Sequence, residues 1–209
     1  MPIPISGVLL DFGGVLWNMR WDTCRELEQA YGLPRRALFE TLYRTSTWEA
    51  LERGRGDREA WREEAHRLLE ARAGRPLPRL HDAWRASQHL ILENVQVVRA
   101  LRSSYRIGIL SNSDASLRER LRDGLGISDL FDTVVCSAEV GMAKPEPAIY
   151  RLAAERLGLP PEACVFVDDH EPNVVAAQQV GMRGALFRVD RGGDLRVELA
   201  ALGVHLSPS

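Results

Sequence analysis

The sequence predicts an α/β chain: a parallel sheet covered by helices on both faces, carrying an all-helical insertion after its first strand. Three observations predict it. From residue 97 onward, short apolar runs alternate with helical patterns, the rhythm of strand–helix–strand units. Residues 17–95 show helical periodicity and no strand-like run. All five tryptophans, at 17, 21, 48, 61 and 84, fall before residue 85, so that segment also differs in composition. At 209 residues the chain suits one good-sized domain, or one domain with an insertion.

Taken in order, Val8–Leu10 is an apolar run ending on Asp11 and reads as the first strand. In the insertion, a helix over 21–31 stops at Gly32-Leu33-Pro34. A second helix over 57–73 starts at Asp57, a good N-cap, and ends at Gly74 with Pro76 beyond it. Trp61, Ala65, Leu68 and Leu69 fall on one of its faces. Four further strands follow at Arg106–Leu110, Thr133–Cys136, Ala163–Val167 and Ala185–Val189. Between them lie Leu117, Leu121 and Leu125 at steps of four, the Ile149–Leu157 segment, and Val174–Val180. The expected organisation is a core of residues 1–16 and 96–209 with a helical insertion at 17–95.

Bulk properties narrow the function. The net charge is −2 with acids and bases mixed, which leaves no nucleic-acid footprint. No apolar run is long enough to span a membrane, and the opening MPIPISG lacks the basic-then-apolar pattern of a signal peptide. Cys24, Cys136 and Cys164 are scattered without metal spacing, which suits buried free thiols and a reducing, cytoplasmic setting. A monomer or homodimer is expected. Among 26 arginines Lys144 is the only lysine, which singles it out as a place where an ammonium is needed.

Parallel sheets bind ligands beyond the carboxyl ends of their strands, so the residues there carry the functional reading. They are Asp11, then Ser111 and Asn112, then Lys144 in GMAKPEP, then Asp168 and Asp169. Singly each has a plainer reading: Asp11, Ser111-Asn112 and Asp168-Asp169 as turn or cap residues, Lys144 as a solvated cation. Together they suit phosphoryl transfer. A carboxylate nucleophile splits one hard step into two. Mg²⁺ between two carboxylates neutralises phosphate charge. A hydroxyl, backbone N–H groups and an ammonium clamp the remaining phosphoryl oxygens, and Gly13-Gly14 let the chain turn closely around the phosphate.

In their order, the segments DFGGV (11–15), Ser111 after its strand, Lys144 in GMAKPEPAIY and VFVDDHEPNV (165–174) resemble the four motifs of the haloacid dehalogenase (HAD) superfamily. The insertion at 17–95 is similar to the cap of the subgroup that carries it after the first strand. The resemblance implies a Rossmann-like, doubly wound sheet of order 3-2-1-4-5. It implies a small phosphorylated substrate, catalysis by Asp11, Ser111 and Lys144, and an aspartyl-phosphate on Asp11. Mg²⁺ would be held by Asp11, the carbonyl of Gly13 and Asp169, with Asp168 either beside them or near Lys144. Ser111, Asn112, Lys144 and Gly14 would face the phosphoryl group.

One departure stands out. Where phosphatases of that superfamily usually carry a second aspartate as general acid, this chain has Gly13. Three readings follow. One is a Mg²⁺-dependent phosphatase for good leaving groups, such as the anomeric sugar phosphates that some members with a DxGxV motif hydrolyse. The others are a catalytically impaired protein binding a phosphorylated ligand or partner, and a metal-free 2-haloacid dehalogenase. Asn18 and His170 are candidate replacement acids. Trp17, Arg20, Arg44 and Trp48 are the insertion's candidates for substrate contact.

Overall fold

The structure, a computed structural model, describes residues 3–206. Its strands in chain order are β1 (Gly7–Leu10), β2 (Trp17–Asn18), β3 (His89–Leu90), β4 (Arg106–Ser111), β5 (Thr133–Cys136), β6 (Cys164–Asp168) and β7 (Arg183–Leu186). Five of them form one sheet in the order β5-β4-β1-β6-β7, parallel throughout, which is the expected 3-2-1-4-5 arrangement once β2 and β3 are set apart. The central strand β1 pairs on both sides and is fully buried, which explains why it reads as an unbroken apolar run.

The side-chain period of two divides the core into two layers. Val8, Leu10, Ile107, Ile109, Val165 and Val167 face one cluster, with Val98 of α6 (Leu92–Leu101) and Leu195 of α11 (Leu195–Ala201). Leu9, Leu110, Val135 and Phe166 face the other, against Ile149 and Ala153 of α9 (Pro147–Leu157) and Ala177 of α10 (Glu171–Gln179). Among the described residues no helix is long and apolar enough to cross a membrane.

Three expectations are corrected. The segment 17–95 is not free of strands, because β2 pairs with β3 antiparallel where the chain leaves and rejoins the sheet. Each is only two residues long, too short to show a period. The last strand runs Arg183–Leu186 and not 185–189, so Arg188 falls beyond its carboxyl end. The Leu117–Leu125 helix is one turn of α7 (Leu117–Glu119) followed by a π-turn over Arg120–Gly124, closed by the Leu125 N–H on the Arg120 carbonyl at 2.9 Å.

The inserted helices α1 (Trp21–Ala30), α2 (Ala37–Tyr43), α3 (Ser46–Leu51), α4 (Arg58–Ala73) and α5 (Leu80–Ser87) share a separate apolar cluster around Trp61 and Trp84. Each buried indole N–H finds a carbonyl: Trp61 donates to Leu42 at 2.6 Å and Trp84 to Met19 at 2.7 Å. Asp57 caps α4 by accepting from the Ala60 N–H at 2.7 Å. The start of α2 has no cap of its own, since Arg36 sits there in the left-handed region at φ 68°. Buried Glu28 supplies it instead, accepting from the Arg36 and Leu38 N–H groups at 3.0 Å each. Replacing Glu28 with alanine strands those donors, so we expect a loss of about 1–3 kcal/mol in denaturant unfolding. A Glu28→Ala variant as stable as the parent would remove Glu28 as the α2 cap.

Candidate active site

The sheet delivers its polar residues to one edge through the register of its ladders. The Asp11 N–H donates to the Val167 carbonyl at 2.9 Å, continuing the β1–β6 pairing one residue past the strand and bringing Asp11 alongside Asp168. Lys144 arrives after α8 (Ser137–Val140), and Asn112 grips its main chain at both ends. The Lys144 N–H donates to Asn112 Oδ1 at 2.8 Å, while Asn112 Nδ2 donates to the Lys144 carbonyl at 3.0 Å. Both ends of the Asn112 amide are therefore engaged in holding the lysine.

Lys144 carries its ammonium into the interior, with only 1% of the side chain exposed. Nζ lies 3.0 Å from Asp11 Oδ1 and 2.6 Å from Asp168 Oδ2. Asp168 is saturated: Asn173 Nδ2 donates to Oδ2 at 3.0 Å and the His170 N–H donates to Oδ1 at 2.7 Å. Asp169, unlike Asp168, lines the cavity, with Asp11 and Gly13. Gly14 makes room for it. A Cβ built there would overlap the Asp169 carboxylate, and the backbone is left-handed at φ 79°. The Gly14 N–H is taken by the Trp17 carbonyl at 2.8 Å, so what Gly14 contributes is space.

Asp11, Asp168 and Asp169 each place an oxygen within 4.8 Å of the others. One ammonium among three carboxylates leaves an excess of negative charge in a poorly solvated place. Burial pushes the Asp11 carboxyl up to about 6, with Lys144 pulling it down and the Asp168 charge adding to the rise. Asp169 still reaches the cavity solvent, yet burial and then the charges of Asp11 and Asp168 push it up to about 8. For Lys144 burial acts downward, but the two facing carboxylates outweigh it and keep the ammonium charged. An oxygen-rich, under-neutralised cluster of this kind fits a hard divalent cation such as Mg²⁺.

The cavity in front of these groups measures about 710 Å³. The sheet edge supplies Ser111, Asn112, Lys144 and His170, and the insertion supplies Trp21, Phe39, Tyr43, Arg44 and Trp48. Trp17 also lines it, whereas Arg20 is turned aside onto Asp22 at 2.8 Å and Asn18 accepts from the Arg20 N–H at 2.9 Å. A separate, largely apolar cavity of about 230 Å³ between α6 and α11 lies apart from the carboxylates. Sequence reasoning missed Arg120, Arg85 and Arg188, all on the main cavity wall. Reading β7 through to residue 189 hid Arg188, which the strand-end rule would otherwise have singled out. Arg120 and Arg85 had no signal, because one arginine among 26 is uninformative.

A family model described as haloacid dehalogenase-like hydrolase matches residues 5–181. The chain belongs to that family. Among curated relatives, this HAD-like hydrolase is 37% identical over 112 residues to Phosphatase MT3486 of Mycobacterium tuberculosis, and the match spans 51% of each chain, about half of that relative's length. It is 29% identical over 185 residues to the sesquiterpene phosphatase astK of Aspergillus oryzae, covering 86% of this chain and 88% of the relative. A HAD family enzyme from Bacteroides thetaiotaomicron, solved in complex with magnesium and inorganic phosphate, superposes with a TM-score of 0.68 at 24% identity, covering 91% of this chain and 97% of that one. That likeness establishes the fold.

The raised carboxyls set a pH dependence. With folded-state values of about 6 and 8 against an ordinary 3.8, Asp11 and Asp169 keep protons that the unfolded chain has already released. The metal-free HAD-like hydrolase therefore loses stability as pH rises from about 4 through about 8. A divalent cation favours the ionised carboxylates and displaces those protons. Were Mg²⁺ to occupy the cluster, the melting-temperature rise it produces would accordingly be larger at about pH 8.5 than at about pH 6. An equal rise at both would contradict the under-neutralised cluster.

Proposed function

We propose that this HAD-like hydrolase is a Mg²⁺-dependent phosphatase that hydrolyses a small phosphorylated metabolite through an aspartyl-phosphate on Asp11. The observation that carries this reading is the buried ammonium of Lys144 bridging Asp11 and Asp168 beside the cavity-facing Asp169. Asp11, Asp169 and the Gly13 carbonyl would hold the cation, whose contribution is to neutralise phosphoryl charge. Asp168, with both oxygens engaged, positions Lys144.

The remaining chemistry belongs to the side chains. Asp11 Oδ1 is engaged by Lys144 and by the Phe12 N–H at 2.7 Å, which orients the carboxylate and leaves Oδ2 as the oxygen not committed to the lysine. A carboxylate oxygen forms a bond to phosphorus as the ester P–O bond breaks, and the leaving oxygen departs with the electron pair. Water then attacks phosphorus as the Asp11–phosphorus bond breaks, releasing inorganic phosphate with the Asp11 carboxylate restored, and the proton the water loses passes through solvent to the leaving oxygen. Ser111 and Lys144 steady the transferring group.

Gly13 bears on the leaving group. A positioned general acid contributes about 10²–10⁴-fold, and this chain has no side chain at that place to provide it. Anomeric, aryl or acyl phosphates, which depart with little protonation, fit the site best. The aromatic wall of Trp17, Trp21, Phe39, Tyr43 and Trp48 supports an apolar or ring-bearing leaving group, as does the similarity to a sesquiterpene phosphatase.

Mg²⁺-dependent hydrolysis of p-nitrophenyl phosphate is the expected activity, falling at least about 10³-fold in Asp11→Asn. Turnover that survives both EDTA and that substitution would reject the mechanism. Gly13→Asp is sterically allowed, since a Cβ there meets only Met19 Sδ, at 3.5 Å. If the missing acid limits the rate, that variant should accelerate alkyl phosphates more than aryl phosphates. Equal effects on both would place the limit elsewhere.

A further inference from the structure

Arg120 opens the π-turn after β4, and its guanidinium sits 4.7 Å from the Phe12 ring and 4.8 Å from the Trp17 ring. Those two rings are stacked 5.7 Å apart, so the aromatic faces locate the cation without consuming its N–H groups. Among the described residues Arg120 has no carboxylate within ion-pair distance, and its buried Nε has no hydrogen-bond partner. Arg85 of the inserted helices lies near it, over the Trp61 ring at 5.5 Å, and lines the same cavity as Tyr43. Among the described residues it too has no ion pair. The acid whose charge acts on Arg120, Asp114, is already engaged by Arg58 at 3.6 Å and by the Ser116 N–H at 2.9 Å. Around one carboxylate there are thus three guanidinium groups. Burial and Arg85 both press Arg120 below the ordinary guanidinium range, although an arginine stays charged at any physiological pH.

A partly buried, unpaired guanidinium is costly, and two of them facing each other from different parts of the fold are more so. A π-turn marks the position of Arg120, a distortion that recurs at functional sites. Both arginines line the same cavity as Asp11 and Lys144. We propose that Arg120 and Arg85, with the Tyr43 hydroxyl, form a second anion subsite, so that the substrate carries a carboxylate or a second phosphoryl group on its leaving portion. This deepens the phosphatase reading and rests on it for the identity of the first anion. Either group presents the paired oxygens that a guanidinium fork takes bidentately. The anion would also bridge the sheet domain, which supplies Arg120, to the inserted helices, which supply Arg85, and so relieve their mutual repulsion.

The test is calorimetric binding with Mg²⁺ present, which needs no turnover. Phosphonoacetate, 3-phosphonopropionate and 4-phosphonobutyrate are each compared with the matching carboxamide, and bisphosphonates of the same spacings with methylphosphonate. We expect at least one carboxylate or bisphosphonate to bind about tenfold or more tightly than its single-anion counterpart. That gain should disappear in Arg120→Gln and shrink in Arg85→Gln. Whether the carboxylates or the bisphosphonates gain identifies the second anion. If no doubly charged ligand outbinds its counterpart, the subsite does not exist. If the gain survives both substitutions, it comes from another group, such as the cation, and the proposal fails. Should Arg120→Gln not fold, Arg85→Gln decides by itself. A gain seen in a protein that hydrolyses no phosphate ester would uphold the subsite and reject the phosphatase reading.

Discussion

The buried ammonium of Lys144, shared between Asp11 and Asp168, is the interaction on which the site depends. A charge this far from solvent is tolerated only with close partners, and removing either partner strands the other. The surrounding structure is arranged to keep the group in place. Asn112 grips the lysine's main chain from both sides, and Asn173 with the His170 N–H fixes Asp168. Asp11, the proposed nucleophile, thus receives its orientation from a fixed cation and not from mobile solvent, which is the condition for electrostatic preorganisation.

The same arrangement leaves the charge unbalanced in two places of opposite sign. At the sheet edge three carboxylates outnumber one ammonium, and the carboxyls of Asp11 and Asp169 rise in response. Across the cavity, Arg58, Arg85 and Arg120 outnumber Asp114. A cation would answer the first imbalance and an anion the second. A doubly anionic phosphate ester bound with Mg²⁺ would satisfy both at once, which links binding of the leaving portion to assembly of the reacting end. The inserted helices would then contribute to selection through charge as well as through their aromatic wall.

Much of this was legible in the sequence because the chemistry lies where strands end. The apolar runs before Asp11, Ser111 and Asp168 are buried on both faces, so each marks its own terminus to within one residue. A lone lysine in an arginine-rich chain marked Lys144. What was hidden has a physical reason in each case. β2 and β3 are too short to show a period. A strand boundary misplaced by three residues concealed Arg188. The distinct duties of Asp168 and Asp169 depend on which side of the strand end each side chain leaves, and adjacent identical residues carry no such signal. The Asn112 clamp is a contact across 32 positions, beyond any local pattern.

Asp11 is proposed to carry the phosphoryl group between substrate and water. The most direct measurement is rapid acid quench of a single turnover of p-nitrophenyl phosphate with Mg²⁺, followed by mass spectrometry of the peptides. A transient phosphoryl adduct on Asp11, forming with p-nitrophenol release and decaying with phosphate release, is the result expected. Release of p-nitrophenol and phosphate together at every quench time, with Asp11 unmodified throughout, would contradict it.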